Sequence, residues 1–257
     1  MSPMKAVILA AGRGTRMREL TRALPKPMLR VQGRPILEHI IDGLGRAGIR
    51  EIFIVTGFRA EVIEQYFADG KRWGVQIEFG RQTVQNGTGK AAEPARAFVG
   101  SSPFLLTYGD ILVRPETYHD VLGRYQHKPC EGVIAVTQGE DVRQGGLVLF
   151  DSHFRLRRIV EKPSLEELDA LRQDGLLGSC QPVWYNAGIY LFAPVVFDFM
   201  AQLKPSPRGE YELTDAINAM ACTGHRILGC PIQGRWVDVR DPEVLRRLEE
   251  ESATSQS

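Results

Sequence analysis

Between Lys5 and Met28 the chain reads KAVILAAGRGTRMRELTRALPKPM, and its glycines and cations suit the holding of a polyphosphate. Gly12 and Gly14 let the backbone turn sharply and come close to a ligand. Successive N–H groups in such a turn form a concavity that binds anions. Arg13, Arg16, Arg18 and Lys26 add positive charge nearby. Neither of two common phosphate loops fits. The dinucleotide fingerprint needs a third glycine at position 17, where Met17 stands, and Gly-Lys-Ser/Thr is absent. A second chemistry is offered by Asp110, which follows the apolar run Phe104–Tyr108 and Gly109, and by Asp238, which follows Trp236 and Val237. A carboxylate at the carboxyl end of a buried strand can hold Mg²⁺, which takes one or two carboxylates together with phosphate oxygens and water. Taken singly, a Gly-x-Gly also suits a surface turn, and a Gly-Asp also suits a capped one.

The whole string is more specific than its parts. L-A-A-G-x-G-T-R-M followed closely by P-K-P-M resembles the signature of the sugar-1-phosphate nucleotidylyltransferases, or nucleotide-sugar pyrophosphorylases. Further resemblances follow along the chain: Gly109-Asp110, Glu161-Lys162-Pro163, Asn186-Ala187-Gly188, Gly209-Glu210 before Leu213-Thr214-Asp215, and Trp236-x-Asp238. Together they run from about Met4 to Glu251. Glu19, where many members have Pro, departs from the pattern outside the expected contacts. The family's reaction joins an NTP to a sugar 1-phosphate, giving an NDP-sugar and pyrophosphate, with Mg²⁺ as cofactor.

The resemblance implies roles residue by residue. Arg16 and Lys26 would stabilise the leaving pyrophosphate, and Lys162 would hold the sugar phosphate. Leu9, Ala11, Gly12, Gly14, Gln82, Gly87, Thr88 and Gly109 would contact the nucleotide. Glu161, Asn186, Gly188 and Glu210 would contact the sugar, and Asp110 and Asp238 would hold the metal. An amide side chain can donate and accept at once, as a pyrimidine edge requires. Uridylyl and thymidylyl members carry Gln five residues before a Gly-Thr pair, the spacing of Gln82 and Gly87-Thr88. UTP or dTTP is therefore favoured over GTP. A guanylyltransferase acting on mannose 1-phosphate and a non-catalytic nucleotide-sugar-binding regulatory subunit are the alternatives. The regulatory reading expects loss of the metal and pyrophosphate residues, yet all stand in the sequence. An NAD-dependent dehydrogenase shares the strand–helix rhythm but needs the missing third glycine.

These residues must be positioned by alternating elements. Ala6–Leu9 reads as a short buried strand, and Pro35 opens a helix with apolar residues at 36, 37, 40, 41 and 44. Glu51–Thr56 is a strand, Ala60–Ala68 a helix and Val75–Phe79 a strand. A helix is expected over Ala91–Phe98 with Thr88 before it, then the strand Phe104–Tyr108 and a helix from Pro115 to His127. Shorter strands follow over Gly132–Val136, Gly145–Phe150 and Arg155–Val160, then a polar helix Ser164–Gln173 and a loop Asp174–Pro182. Trp184–Phe192 is an apolar strand interrupted at Asn186–Gly188, Pro194–Leu203 a helix, and Thr214 a candidate cap for the next one. Glu243–Glu251 closes the chain. The rhythm predicts an α/β, doubly wound Rossmann-like, mixed but mostly parallel sheet in a single domain, and the resemblance adds the GT-A-like nucleotidyltransferase fold. Residues 1–251 form that domain, with a nucleotide half (1–130), a sugar-phosphate half (131–251) and a disordered tail (252–257).

A net charge of +1 gives no excess that would point to nucleic acid or a membrane surface. No run reaches the ~18 apolar residues of a bilayer span, and no signal peptide is expected. Cys130, Cys180, Cys222 and Cys230 lack metal spacing and read as free thiols of a cytoplasmic protein. No hexapeptide repeats are seen, so no fused β-helix acetyltransferase is expected. The sugar and the oligomeric state, including a homo-oligomer, are left open.

Overall fold

A computed structural model describes residues 3–178 and 182–254. In chain order its main elements are β1 (Lys5–Leu9), α1 (Ile36–Arg46), β2 (Glu51–Thr56), α2 (Ala60–Phe67), β3 (Gln76–Arg81), β4 (Phe104–Tyr108), β5 (Ile111–Val113) and α3 (Pro115–His127). Then come β6 (Gly132–Thr137), β7 (Gly146–Phe150), β8 (Leu156–Glu161), α4 (Leu165–Gln173), β9 (Trp184–Phe192), α5 (Leu213–Cys222), β10 (Ile227–Pro231), β11 (Trp236–Asp238) and α6 (Pro242–Thr254). The chain divides into two compact units. One comprises 1–85, 91–119 and 234–257, the other 86–90 and 120–233.

The first unit is built on a parallel sheet ordered β4-β1-β2-β3. Its central strands are apolar on both faces: Ala6, Val7, Ile8, Ile52, Ile54, Val55, Leu105 and Leu106 are buried. That is the composition of a sheet covered on both sides. From β1 the chain moves outward to β2 and β3, then returns to the other side of β1 as β4. The strand order therefore reverses at β1, and ligands of such sheets bind beyond the carboxyl ends at that reversal. The loop after Leu9 and the Gly109-Asp110 pair after β4 both lie there, for Leu9 pairs Tyr108 and Gly109 N–H donates to Leu9 O at 2.9 Å.

In the second unit the sheet order is β10-β6-β9-β7-β8, antiparallel except for β10 with β6. The mixed, mostly parallel sheet expected from the rhythm thus keeps its parallel character chiefly in the first unit. The outermost strand β8 is met by a side chain of α5: Asn218 accepts from Ile159 N–H and donates to Ile159 O, both at 2.8 Å. That pair satisfies backbone groups an edge strand would otherwise present. Ser164 accepts from Glu167 N–H while Glu167 accepts from Ser164 N–H, a capping box that fixes the start of α4.

Several local expectations are corrected. The helix over Ala91–Phe98 is broken into Thr88–Ala91, a tighter turn Glu93–Ala95 and Arg96–Val99. Pro94 is the reason, since its ring and missing N–H interrupt a continuous ladder. Thr214 lies inside α5, and the cap position belongs to Glu212. Trp184–Phe192 is one strand whose pairing is interrupted between Asn186 and Tyr190, as expected, with Gly188 at φ +73°. A 3₁₀ helix, Thr15–Thr21, follows the glycine loop. Helix α6 runs to Thr254, into the stretch expected as tail, and residues 255–257 lie outside the described residues. Cys130, Cys222 and Cys230 are free thiols, while Cys180 and part of the 174–182 loop fall outside the described residues.

Candidate functional site

The first unit assembles a glycine loop against a pair of carboxylates. Strand β1 ends at Leu9, and buried Ala10 and Ala11 lead into exposed Gly12. Gly14 adopts a left-handed backbone (φ +62°) and lies against Lys26, whose Cβ would be 2.9 Å from a Cβ placed at Gly14. The glycine is required there on both counts. Met17 N–H and the Thr21 hydroxyl both donate to Gly14 O, which ties the loop to the 3₁₀ helix behind it. Gly109 is constrained by space alone: a Cβ would lie 3.0 Å from Leu9 O.

Lys26 opens a short 3₁₀ turn, Lys26–Met28, between Pro25 and Pro27. Its ammonium donates to Asp110 Oδ2 at 2.6 Å and lies 3.7 Å from Asp238 Oδ1. The two carboxylates are brought together by the antiparallel ribbon of β5 and β11. There Asp238 pairs Ile111, and Val239 N–H donates to Asp110 O at 3.0 Å. Burial, and then the charge of Asp110, push the Asp238 carboxyl up to about 6, against the pull of Lys26, Arg240 and Arg16. Arg16 itself is exposed. Among the described residues no three or more His, Cys, Asp or Glu side chains form a metal cage. Asp110 and Asp238 are a pair of oxygen donors, the set that suits Mg²⁺ with substrate phosphates. Gln82 N–H donates to Thr56 O at 2.8 Å, so its position is set by the end of β2. Gln85, not among the expected contacts, donates from its amide to Ala11 O at 2.9 Å.

The second unit gathers the residues expected to meet the sugar. Glu161 ends β8, and Lys162 follows with a left-handed backbone (φ +47°) and its N–H donated to Gly145 O. A non-glycine residue held there is strained, and such strain persists only where surrounding bonds impose it. Asn186 is buried in β9 and accepts from Gly188 N–H at 3.3 Å. Gly146 faces it across the sheet, where an added Cβ would stand 3.0 Å from the Asn186 Cβ. Arg208 reaches Glu212 at 2.7 Å and Glu161 at 3.7 Å. Burial and then the Glu212 charge raise the Glu161 carboxyl above its ordinary range, against Lys162 and Arg208. Arg208 and buried Glu212 were not among the expected contacts. Their signal was present as charged residues before a helix start, with no spacing rule to assign them. Glu210 is exposed, and its backbone O accepts from Ser206 N–H at 2.8 Å.

Gly87 and Thr88 have evident packing duties in this unit. A Cβ at Gly87 (φ +121°) would be 2.3 Å from Tyr211 O, and Tyr211 N–H donates to Asn86 O at 2.8 Å. The Thr88 hydroxyl accepts from Leu213 N–H at 3.2 Å, satisfying a donor at the start of α5.

Known proteins resemble the whole of this arrangement. The family model described as nucleotidyl transferase matches residues 5–255. The low-salt glycan biosynthesis nucleotidyltransferase of Haloferax volcanii is 32% identical over 94% of this chain and 64% of its own length. The bifunctional protein GlmU of Methanococcus maripaludis is 33% identical over 93% of this chain and 52% of its own length. The chain thus spans about half to two thirds of these relatives. The UTP–glucose-1-phosphate uridylyltransferase of Haloferax volcanii is 30% identical over 97% of this chain and 98% of its own length. A solved UDP-glucose pyrophosphorylase with UDP-glucose bound shares the fold, with a TM-score of 0.83 at 22% identity over 98% of this chain and 99% of that one.

Proposed function

The chain belongs to the nucleotidyl transferase family, and we propose that it transfers a nucleotidyl group from UTP or dTTP to a sugar 1-phosphate, releasing pyrophosphate. The observation that carries this reading is the Lys26 ammonium between Asp110 and Asp238, next to the Gly12–Gly14 loop. A cation and two carboxylates at the switch point of a parallel sheet suit a triphosphate and its counter-ion.

A sugar-phosphate oxygen attacks the α-phosphorus in line as pyrophosphate departs from the opposite side. The nucleophile is already anionic, so the chain need not supply a general base. Its difficulty is bringing two polyanions together, since unit charges ~4 Å apart repel by about 4 kcal/mol at an effective dielectric near 20. Fixed positive charge and positioning offset that cost. In this reading Gly12 and Gly14 present N–H groups to the triphosphate. Arg16 and Lys26 meet the charge that grows on the leaving pyrophosphate, and Lys162 holds the sugar phosphate. Leu9, Ala11 and Gly109 shape the nucleotide cleft, Gln82 reads the base, and Gly87 and Thr88 are further nucleotide contacts. Glu161, Asn186, Gly188 and Glu210 orient the sugar. Asp110 and Asp238 would hold Mg²⁺, which supplies charge neutralisation to the phosphates when bound.

Pyrophosphate release, measured with Mg²⁺ over UTP, dTTP, GTP, CTP and ATP against several sugar 1-phosphates, tests the proposal. Glucose 1-phosphate is the first sugar to try, since the relative covered over 98% of its length is named for it. Signal with UTP or dTTP alone is expected. Signal confined to GTP would keep the reaction and overturn the Gln82 assignment. Silence across the grid with folded protein that still binds UDP-sugars would move the reading to a regulatory subunit.

A further inference from the structure

The carbonyl oxygen of Ala11 is held from several directions. Phe58 N–H donates to it at 3.2 Å, and Gln85 Nε2 donates at 2.9 Å. Gly57 packs so closely that an added Cβ would lie 2.6 Å from the same oxygen. Two donors occupy the two lone pairs a carbonyl offers. The 11–12 peptide is trans, as are all the described peptides. In a trans peptide the C=O and the next N–H lie in one rigid plane and point in opposite directions. Anchoring Ala11 O therefore aims Gly12 N–H away from Phe58 and Gln85. Gly12 itself is exposed, and a Cβ added to it would meet nothing within 4 Å.

We propose that Gln85 is a positioning residue for phosphate binding, which fixes the direction of Gly12 N–H by holding the carbonyl of the same peptide. The assignment rests on the nucleotide reading above. Gln85 touches no phosphate in this account and acts only through the backbone. Of the two donors, the Phe58 amide belongs to the backbone and survives any side-chain change, whereas the amide of Gln85 is supplied by its side chain. Without it the peptide is free to rock, and the N–H must be reordered each time an anion binds.

The test compares wild type with Gln85→Met, which keeps the length and loses the donor, and Gln85→Glu, which sets an acceptor against an acceptor. Two probes are titrated calorimetrically: inorganic tripolyphosphate, which has no base, and the NTP that wild type binds best. The expected result is a loss of roughly five- to tenfold for both probes in Gln85→Met, the cost of fixing one residue's backbone on binding, and a larger loss in Gln85→Glu. Thermal midpoints should stay within about 2 °C, which at this chain length is under ~1 kcal/mol. In ¹⁵N spectra the Gly12 amide should show a smaller shift on adding tripolyphosphate than in wild type. Unchanged tripolyphosphate affinity with weakened NTP binding would place Gln85 on the base side and overturn the assignment. Unchanged affinity for both would overturn it as well. Wild-type protein that binds neither probe would instead refute the nucleotide reading, and this assignment with it.

Discussion

Lys26 stands where a divalent cation would be expected to act, and its removal should have two opposite effects. The perturbation is Lys26→Met, which keeps the aliphatic stem and deletes the charge. The ammonium lies 2.6 Å from Asp110 and 3.7 Å from Asp238. A unit-charge interaction at ~4 Å is worth about 4 kcal/mol at an effective dielectric near 20. The side chains are 13%, 28% and 21% exposed, respectively. Solvent screening of partly exposed charges lowers the figure to about 2–3 kcal/mol. Without nucleotide, Lys26 competes with an added cation for the same two carboxylates. Lys26→Met should therefore bind Mn²⁺ at least ~10-fold more tightly than wild type, about 1.4 kcal/mol of the available 2–3. With both substrates present, kcat should fall by at least ~100-fold, about 2.7 kcal/mol, because the leaving pyrophosphate loses its cation. Manganese binding followed by electron paramagnetic resonance on nucleotide-free protein reads the first effect, and single-turnover kinetics the second. Unchanged or weaker Mn²⁺ binding by the folded variant would refute the competition. Turnover within a few-fold of wild type would remove Lys26 from the mechanism.

Two further outcomes follow from the second unit. Gly87→Ala puts a Cβ 2.3 Å from Tyr211 O on a backbone at φ +121°, so it should cost at least ~2 kcal/mol and lower the melting midpoint by several degrees. A wild-type midpoint would show that the segment yields freely. Glu161 has its carboxyl raised by burial and by Glu212, so the native state holds its proton to higher pH than the unfolded chain. The resulting penalty is absent below the unfolded pKa, grows as pH rises through the native one, and is complete above it. Glu161→Gln should be more stable than wild type near pH 7.5, and the gain should vanish near pH 3.5. An equal gain at both values, measured by calorimetry, would contradict the linkage.

The sequence by itself determined the local events. Apolar runs gave β1, β2 and β4 because a strand buried on both faces needs no polar alternation. Ser164 and Glu167 announced the start of α4, since a capping box is a matter of spacing within one turn. The string around Gly12 and Gly14 marked a loop that a ligand can approach closely, because that conformational freedom is a property of glycine itself. The family likeness then gave names to residues far apart in the chain. Tertiary structure alone decided what those residues touch. Asp110 and Asp238 are 128 positions apart, and only the pairing of β5 with β11 makes them a couple that Lys26 can bridge. That Pro94 splits its helix is a local matter, legible in the sequence. That the Thr88 hydroxyl would serve the start of α5 was not legible, for the donor lies 125 residues away. Gln85 shows the same limit: no spacing rule links it to Ala11, and its role exists only because the end of one loop folds back onto a carbonyl that a rigid peptide plane couples to Gly12.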